Sequence, residues 1–452
     1  MTNSVKKTLG TEGNVYPKLL ISKYMGSKKA ILGFVADQLT ALTKPGDIII
    51  DLMAGTHTIG FAMKHRCQIV ANDIQRYSRV IGETLLNYVP EYRFNDTYAG
   101  PFKLFFMQNL RACSELFEAG IRSEHELIGS DKRKTVDWLE YREFCDDYPY
   151  FMRTSEYSIW QNDFTMLFQQ NRVEAFRTFN KLEPYSLFSL YFANTYLGVR
   201  QAAEVDSVRY AIDKLCDQWL PDQSELEFDP YSLRCMLISV LISVINRINP
   251  GPGHWAAYPH PNESNLKQIL YQRRLSVWDL FLEKVSAIEA SLAANPSEHA
   301  PHIVMTENYV NFMDEVKEYI RRARVVYLDP PYSQGHYSRF YHLIETLTMY
   351  DYPEIEHKGR YRGDRHQSPF AHKTQAAKAV GSVCEIAREC GADLVISYSH
   401  GGIIENDEVF RAILEAYYPP EKINLKKLSA EHSKLGQSQR MKTEEYLFTC
   451  KS

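Results

Sequence analysis

The chain has 452 residues, 44% of them apolar, enough to bury a large core in two domains or in one domain with a long insertion. With 52 basic against 56 acidic residues and a formal charge of −4, it lacks a global cationic field, so any nucleic-acid contact must come from local patches. Eight cysteines without a Cys-x-x-Cys pair and a polar stretch from Met1 to Gly13 argue against disulfides, zinc and a signal peptide, and lead to the expectation of a cytoplasmic protein with no metal and no membrane partner.

In chain order, Pro45-Gly46-Asp47 forms a turn and Ile48-Ile49-Ile50 a buried strand. Asp51-Leu52-Met53-Ala54-Gly55-Thr56-His57-Thr58-Ile59-Gly60 then carries small residues into an amphipathic helix. Gly55 lets the backbone approach a ligand closely, and the helix N-terminus offers unpaired N–H groups. A second strand, Gln68–Ala71, ends in Asn72-Asp73, placing an acid about twenty residues after the loop, where it can bind ribose hydroxyls. Without a Gly-x-Gly-x-x-Gly run or a Walker lysine, a nucleoside lacking phosphates, such as S-adenosylmethionine, fits better than a nucleotide. The alternative role of Asp51 and Asp73 is helix N-capping.

The stretch 91–320 is helical in pattern, rich in aromatic and charged residues, and interrupted at Asn249–Trp255. Met236–Ile248 is a 13-residue apolar run containing Ser239, Ser243, Asn246 and Arg247; it is expected to be a buried helix, too short and polar to span a bilayer. A helix from Gly198 carries Arg200 and Gln201, residue types that pair with guanine and adenine in the major groove; the alternative is a surface helix. Pro252–Trp255 is either a wedge into a duplex or a packed turn.

From 323 the strand-helix alternation resumes: strand Val325–Leu328, helices Arg339–Tyr350 and Thr374–Cys390, strand Asp393–Ser397, helix Asp407–Tyr417, then Ile423–Leu428 and Glu445–Cys450 as antiparallel strands. The first of these strands runs into Asp329-Pro330-Pro331-Tyr332. Methylating an exocyclic amine requires acceptors that draw on its N–H groups, because the lone pair is delocalised into the ring. Two prolines stiffen the turn and remove two donors, leaving Asp329 and the Pro330 carbonyl as pure acceptors, while Tyr332 offers a ring face to an extruded base. Beyond it, Ser333–His342 could close over the extruded base with Arg339 reaching a phosphate, or be a plain loop and helix N-terminus. The basic stretch Lys358–His366 carries Arg360, Arg362 and Arg365, which suit gripping a DNA backbone; its alternative is a solvated charge run.

Together these residues resemble the amino-methylating DNA methyltransferases with a D-P-P-Y motif, most closely the D12-class, Dam-like adenine-N6 enzymes in alpha order. Lys23-Tyr24-Met25-Gly26-Ser27-Lys28 is similar to the family's N-terminal motif, and Asp51 to Gly55 to its cofactor motif D-x-F-x-G-x-G. Asp73 is similar to the ribose-binding acid, and Ser397-Tyr398-Ser399 to a late motif lining the base pocket. The resemblance implies a Rossmann-like class I methyltransferase sheet, parallel with one antiparallel strand, over 15–90 and 321–452, with 91–320 as a mostly helical inserted target-recognition domain. It implies S-adenosylmethionine held by Lys23, Tyr24, Gly26, Lys28, Asp51, Met53, Gly55, Thr56, Asp73, Ile74 and Asp329, and base flipping from double-stranded DNA. A cognate restriction endonuclease acting separately is one partner system it allows, beside a solitary regulator or a phage enzyme. Met53 replaces the family's aromatic residue and His57 its second glycine, so His57 is expected to face solvent or reshape the pocket entrance. Cytosine-N4 methylation and a non-catalytic DNA-binding regulator are the alternatives.

Overall fold

The computed structural model describes residues 6–10, 14–22, 31–90, 93–129, 136–148, 183–220, 229–251, 253–297, 299, 301–315, 317–334, 337–357, 359–433 and 440–452. The N-terminal motif expected at Lys23, Tyr24, Gly26 and Lys28 lies outside the described residues.

A short hairpin, β1 (Lys6–Leu9) and β2 (Val15–Lys18), precedes helix α1 (Leu32–Leu42). The turn at Gly46, with φ +88°, then feeds β3 (Ile48–Asp51). Next come α2 (Thr58–Met63), β4 (Gln68–Asn72) and α3 (Arg76–Asn87). After the intervening helices follow β5 (Ile303–Met305), β6 (Ala323–Leu328) and the small hairpin β7 (Ile355–Glu356) and β8 (Tyr361–Arg362). Strand β9 (Asp393–Ser399) and the long hairpin β10 (Ile423–Ser433) and β11 (Arg440–Cys450) complete the chain.

Seven strands form one sheet in the order β10-β11-β9-β6-β3-β4-β5. Every pairing from β9 to β5 is parallel, and β11 alone runs against both neighbours. This agrees with a mostly parallel α/β sheet carrying one reversed strand. The central strands are apolar on both faces because both are covered. Ile49, Val325 and Val395 pack under α1 and α2, while Ile50, Val326, Leu328 and Ile396 pack against α9 (Ala376–Glu389) and α10 (Asp407–Glu415).

The expected boundary at 320 does not coincide with the sheet, since β5 lies inside 91–320 yet pairs in parallel with β4. Three apolar residues are too few to show a period, which is why Ile303–Met305 escapes a pattern reading. The helices before β5 include α4 (Asp96–Leu116), α5 (Val199–Lys214), α6 (Pro230–Ile248) and α7 (Val277–Ala293). They share one apolar cluster with α3 and with α8 (Tyr337–Met349).

Helix α6 has 19 residues and is, among those described, the one long and apolar enough to cross a membrane; the expected 13-residue run understated it. Asp229 caps its start through the backbone N–H groups of Tyr231 and Ser232. Its surroundings are protein: Ser239 shares a hydrogen bond with Thr84 of α3 at 2.9 Å, and Asn246 donates to Ser22 at 3.1 Å.

Helix α5 corrects the expectation of a DNA-reading helix. Gln201 is wholly buried, donating to the Gln272 and Leu275 carbonyls and accepting from Gly198 N–H, while Arg200 is held by Glu204 and the Arg273 and Leu275 carbonyls. Gln201 is closed off from solvent, and Arg200, with 37% of its side chain exposed, has its guanidinium committed to these partners. The basic stretch is corrected in the same way. Arg360 is buried and donates to the Tyr191 carbonyl. Arg362 binds Asp351 through both terminal nitrogens at 2.6 and 2.7 Å and reaches Asp364 at 2.8 Å. Arg365 bonds the Arg362 carbonyl and Glu356. The signal was present in the interleaved acids Asp351, Glu354, Glu356 and Asp364, which neutralise the run locally.

Candidate active site

Three strand ends build the cleft. In a doubly wound sheet the carboxyl ends of neighbouring parallel strands meet at one edge, and here β3, β4 and β6 deliver Asp51, Asp73 and Asp329 to it. The cleft encloses about 1150 Å³, part of it open to solvent.

The loop after β3 is held by its neighbours. Gly55 adopts φ +53°, and its N–H donates to Asp73 Oδ2 at 2.9 Å while its carbonyl accepts from Ser78 Oγ at 2.6 Å. Asn72, buried at the end of β4, donates to the Glu307 carbonyl at 2.9 Å and accepts from the Glu307 N–H at 3.0 Å. It thereby ties the loop after β5 to the cleft. Met53, Thr56 and Ile74 line the cavity, Ile74 from an exposed position.

His57 departs from both expectations made for it. It adopts the left-handed conformation at φ +53°, is 1% exposed, and bonds Ser78 Oγ through Nε2 at 3.2 Å. Its ring points behind the loop into space left by Gly82, where a Cβ would lie 2.5 Å from the His57 ring. A side chain is therefore tolerated at the second glycine position because α3 carries a glycine opposite it. Burial lowers the ring to about 4, so it is neutral at physiological pH.

Acidity concentrates in the cavity. Burial, reinforced by the Asp329 and Asp73 carboxylates, pushes the Asp51 acid well above the usual range, and its Oδ1 is buried with no hydrogen-bond partner. Burial also raises Asp73, to about 6, against the lowering effect of the Gln75, Gly55 and Ile74 N–H groups.

The Asp329-Pro330-Pro331-Tyr332 turn forms the facing wall. Asp329 Oδ1 accepts from Ser397 Oγ at 3.2 Å. Tyr332 is half-buried, its carbonyl accepts from the Ile403 N–H at 3.1 Å, and its ring stands edge-on to Tyr398 at 6.5 Å. Beyond it the cavity is closed by Tyr337, Ser338, His366, Gln367 and Ser368. Ser338 Oγ donates to the His366 carbonyl at 3.0 Å, fastening the start of α8 to that segment. Tyr337 and Ser338 belong to the segment expected to close over an extruded base, and His366 ends the basic stretch; Gln367, Ser368 and Tyr327 were not expected at a site. Gln367 and Ser368 follow in an irregular stretch with no chemical motif, and Tyr327 reads only as part of an apolar run.

Of the basic side chains expected to meet DNA, Arg339 is the exposed one. It stands at the start of α8 beside the cleft residues Tyr337 and Ser338, with its guanidinium 5.0 Å from the Phe340 ring. No group of three or more metal-ligating side chains exists among the described residues, and all eight cysteines are free.

Residues 284–408 match the model of the family described as D12 class N6 adenine-specific DNA methyltransferase. The match includes the Asp329–Tyr332 turn and the facing segment 366–368, and stops short of the Asp51–Asp73 region. Modification methylase LlaI of Lactococcus lactis subsp. lactis is 20% identical over 389 residues, covering 86% of this chain and 47% of that protein. Type II methyltransferase M.FokI of Planomicrobium okeanokoites is 22% identical over 432 residues, covering 94% and 52%. Modification methylase StsI of Streptococcus sanguinis is 21% identical over 223 residues, covering 49% and 29%. The chain spans about half the length of the first two of these relatives.

Proposed function

We propose that this chain, which carries a D12 class N6 adenine-specific DNA methyltransferase domain, transfers a methyl group from S-adenosylmethionine to the N6 amino group of adenine in a specific double-stranded DNA sequence. One observation carries the reading: Asp329, on its rigid proline turn, shares a single cleft with Asp51, Gly55 and Asp73.

The cleft fits the donor. Three carboxylates converge there, and one buried oxygen of Asp51 lacks a partner, so a ligand bearing a positive charge and hydroxyl donors complements it. S-adenosylmethionine would supply an electrophilic methyl group on a sulfonium centre. Asp73, already oriented by the Gly55 and Gln75 N–H groups, accepts from the ribose hydroxyls. Met53 and Ile74 give the base apolar walls.

Across the cleft, a target adenine extruded at a cost of a few kcal/mol stacks on Tyr332. Asp329 and the Pro330 carbonyl accept from its amino group, which turns the developing lone pair towards the methyl group. No strong base is required before attack, because the amine becomes acidic only once methylated. Catalysis then consists of alignment and fixed electrostatics. Arg339 contacts a DNA phosphate beside the cleft, and the helices between α3 and β5 recognise the target. Two of the three relatives are named modification methylases; by extension, the mark made here protects DNA from an endonuclease acting separately.

Cytosine-N4 methylation uses the same pocket logic, so the test must identify the product. Incubation with labelled donor and duplex DNA, followed by digestion to nucleosides and mass spectrometry, is expected to give N6-methyladenine. N4-methylcytosine would move the assignment to the second base, and unmodified DNA would sink the reading.

Donor affinity is expected to depend on pH. Asp73 must be ionised to accept both ribose hydroxyls, and its acid is raised to about 6. Above that value affinity is flat; below it, protonation competes with binding and the dissociation constant rises about tenfold per pH unit. Calorimetric titration between pH 5 and 8 checks this, and affinity constant across the range would remove Asp73 from the donor site.

A further inference from the structure

The pleat of the sheet places several polar side chains on one face. Successive residues of a strand alternate faces, so Tyr327 and Asp329 lie on the same side of β6 and its extension. Parallel pairing sets Tyr327 opposite Val395, which puts Ser397, two residues on, on that side as well. Tyr327 Oη and Ser397 Oγ are 2.9 Å apart, and Ser397 Oγ is 3.2 Å from Asp329 Oδ1. Ser397 is 0% and Tyr327 1% exposed, in the middle of the sheet.

Resting on the methyl-transfer reading above, we propose that Ser397, oriented by Tyr327, is a positioning residue that fixes the Asp329 carboxylate for the substrate amine. The direction of the two hydrogen bonds follows from donor counting. Ser397 has one hydroxyl hydrogen, which goes to the carboxylate because an ionised carboxylate can only accept. The Tyr327 hydroxyl must therefore donate to Ser397 Oγ. Burial, with Asp329 close by, keeps the Tyr327 phenol protonated and so able to donate. A donor aimed at Oδ1 favours the ionised form of Asp329 and locks its rotation, leaving the substrate amine to meet a carboxylate whose plane is already set.

Three variants test this: Ser397→Ala, Tyr327→Phe and the double replacement. Ser397→Ala is expected to lower kcat about tenfold and to move the acid limb of the pH–rate profile up by about one unit, since a carboxylate that loses a charge-assisted hydrogen bond is more easily protonated. Donor affinity at pH 8 is expected to stay within about twofold, because the donor contacts lie on β3 and β4. Tyr327→Phe, which removes one oxygen without changing packing, is expected to lower kcat about threefold, and the double variant to match Ser397→Ala within about twofold, since Tyr327 acts only through Ser397. Additive losses, an unmoved acid limb, or parallel loss of donor binding would each overturn the relay. If Asp329→Ala is inactive while Ser397→Ala keeps the turnover and pH profile of the unaltered chain, the relay alone fails. If the unaltered chain methylates no DNA, the underlying reading fails and takes the relay with it.

Discussion

Replacing Asp329 by alanine is expected to reduce methyl transfer about 10³-fold, the scale of losing a preorganised electrostatic contact to the reacting group. Donor affinity should stay within about threefold, because the donor side of the cleft is built from the β3 loop and Asp73. The mutation also removes a negative charge that helps raise the Asp51 acid, so any change in donor binding should come from Asp51 and be small. Asp329→Asn keeps the shape and one acceptor oxygen but surrenders the charge; its turnover should fall between the two. Single-turnover kinetics with labelled donor, alongside calorimetry, separates chemistry from binding. Full activity in Asp329→Ala would take the residue out of the reaction, and equal loss of donor affinity would make it structural.

Trp255→Ala is expected to destabilise the fold by about 3 kcal/mol, towards the lower end for truncating a buried aromatic side chain. The lower end applies because the indole N–H is buried without a hydrogen-bond partner, and its removal offsets part of the lost packing. Trp255 is 0% exposed, its backbone N–H donates to the Phe340 carbonyl at 2.9 Å, and its backbone carbonyl accepts from Tyr196 at 2.5 Å and His342 at 3.0 Å. Of the two roles open to this turn in the sequence, the packed one is therefore observed, and the indole has no path into a duplex. Denaturant titration should show the loss of stability, while the folded fraction should bind DNA as before. Unchanged stability with lost DNA affinity would restore the wedge.

What could be read in advance followed the strength of local signals. The strands around Ile48–Ile50, Gln68–Ala71, Val325–Leu328 and Asp393–Ser397 were legible because runs of β-branched residues end at turns and acids, and each was found within two residues of its expected end. The cleft was legible for the same reason, since its acids stand where those strands stop. Partners of charged side chains were not. Arg362 and Arg200 carry the residue type of a DNA contact, yet their acceptors are acids and carbonyls brought near by tertiary packing as well as by local sequence. His57 illustrates the point from the opposite direction: its place is decided by Gly82, a residue 25 positions away that no local pattern connects to it.

The apolar cluster running from α3 and α8 into the helices between them bears on how this protein could be re-engineered. Exchanging residues 96–293 for a relative's counterpart would cut through one continuous interior and leave Tyr77, Ile81, Leu85 and Tyr341 facing water or mismatched neighbours. New sequence preferences would thus have to be installed at exposed loop and helix-end positions, with that interior left intact, instead of by swapping a module.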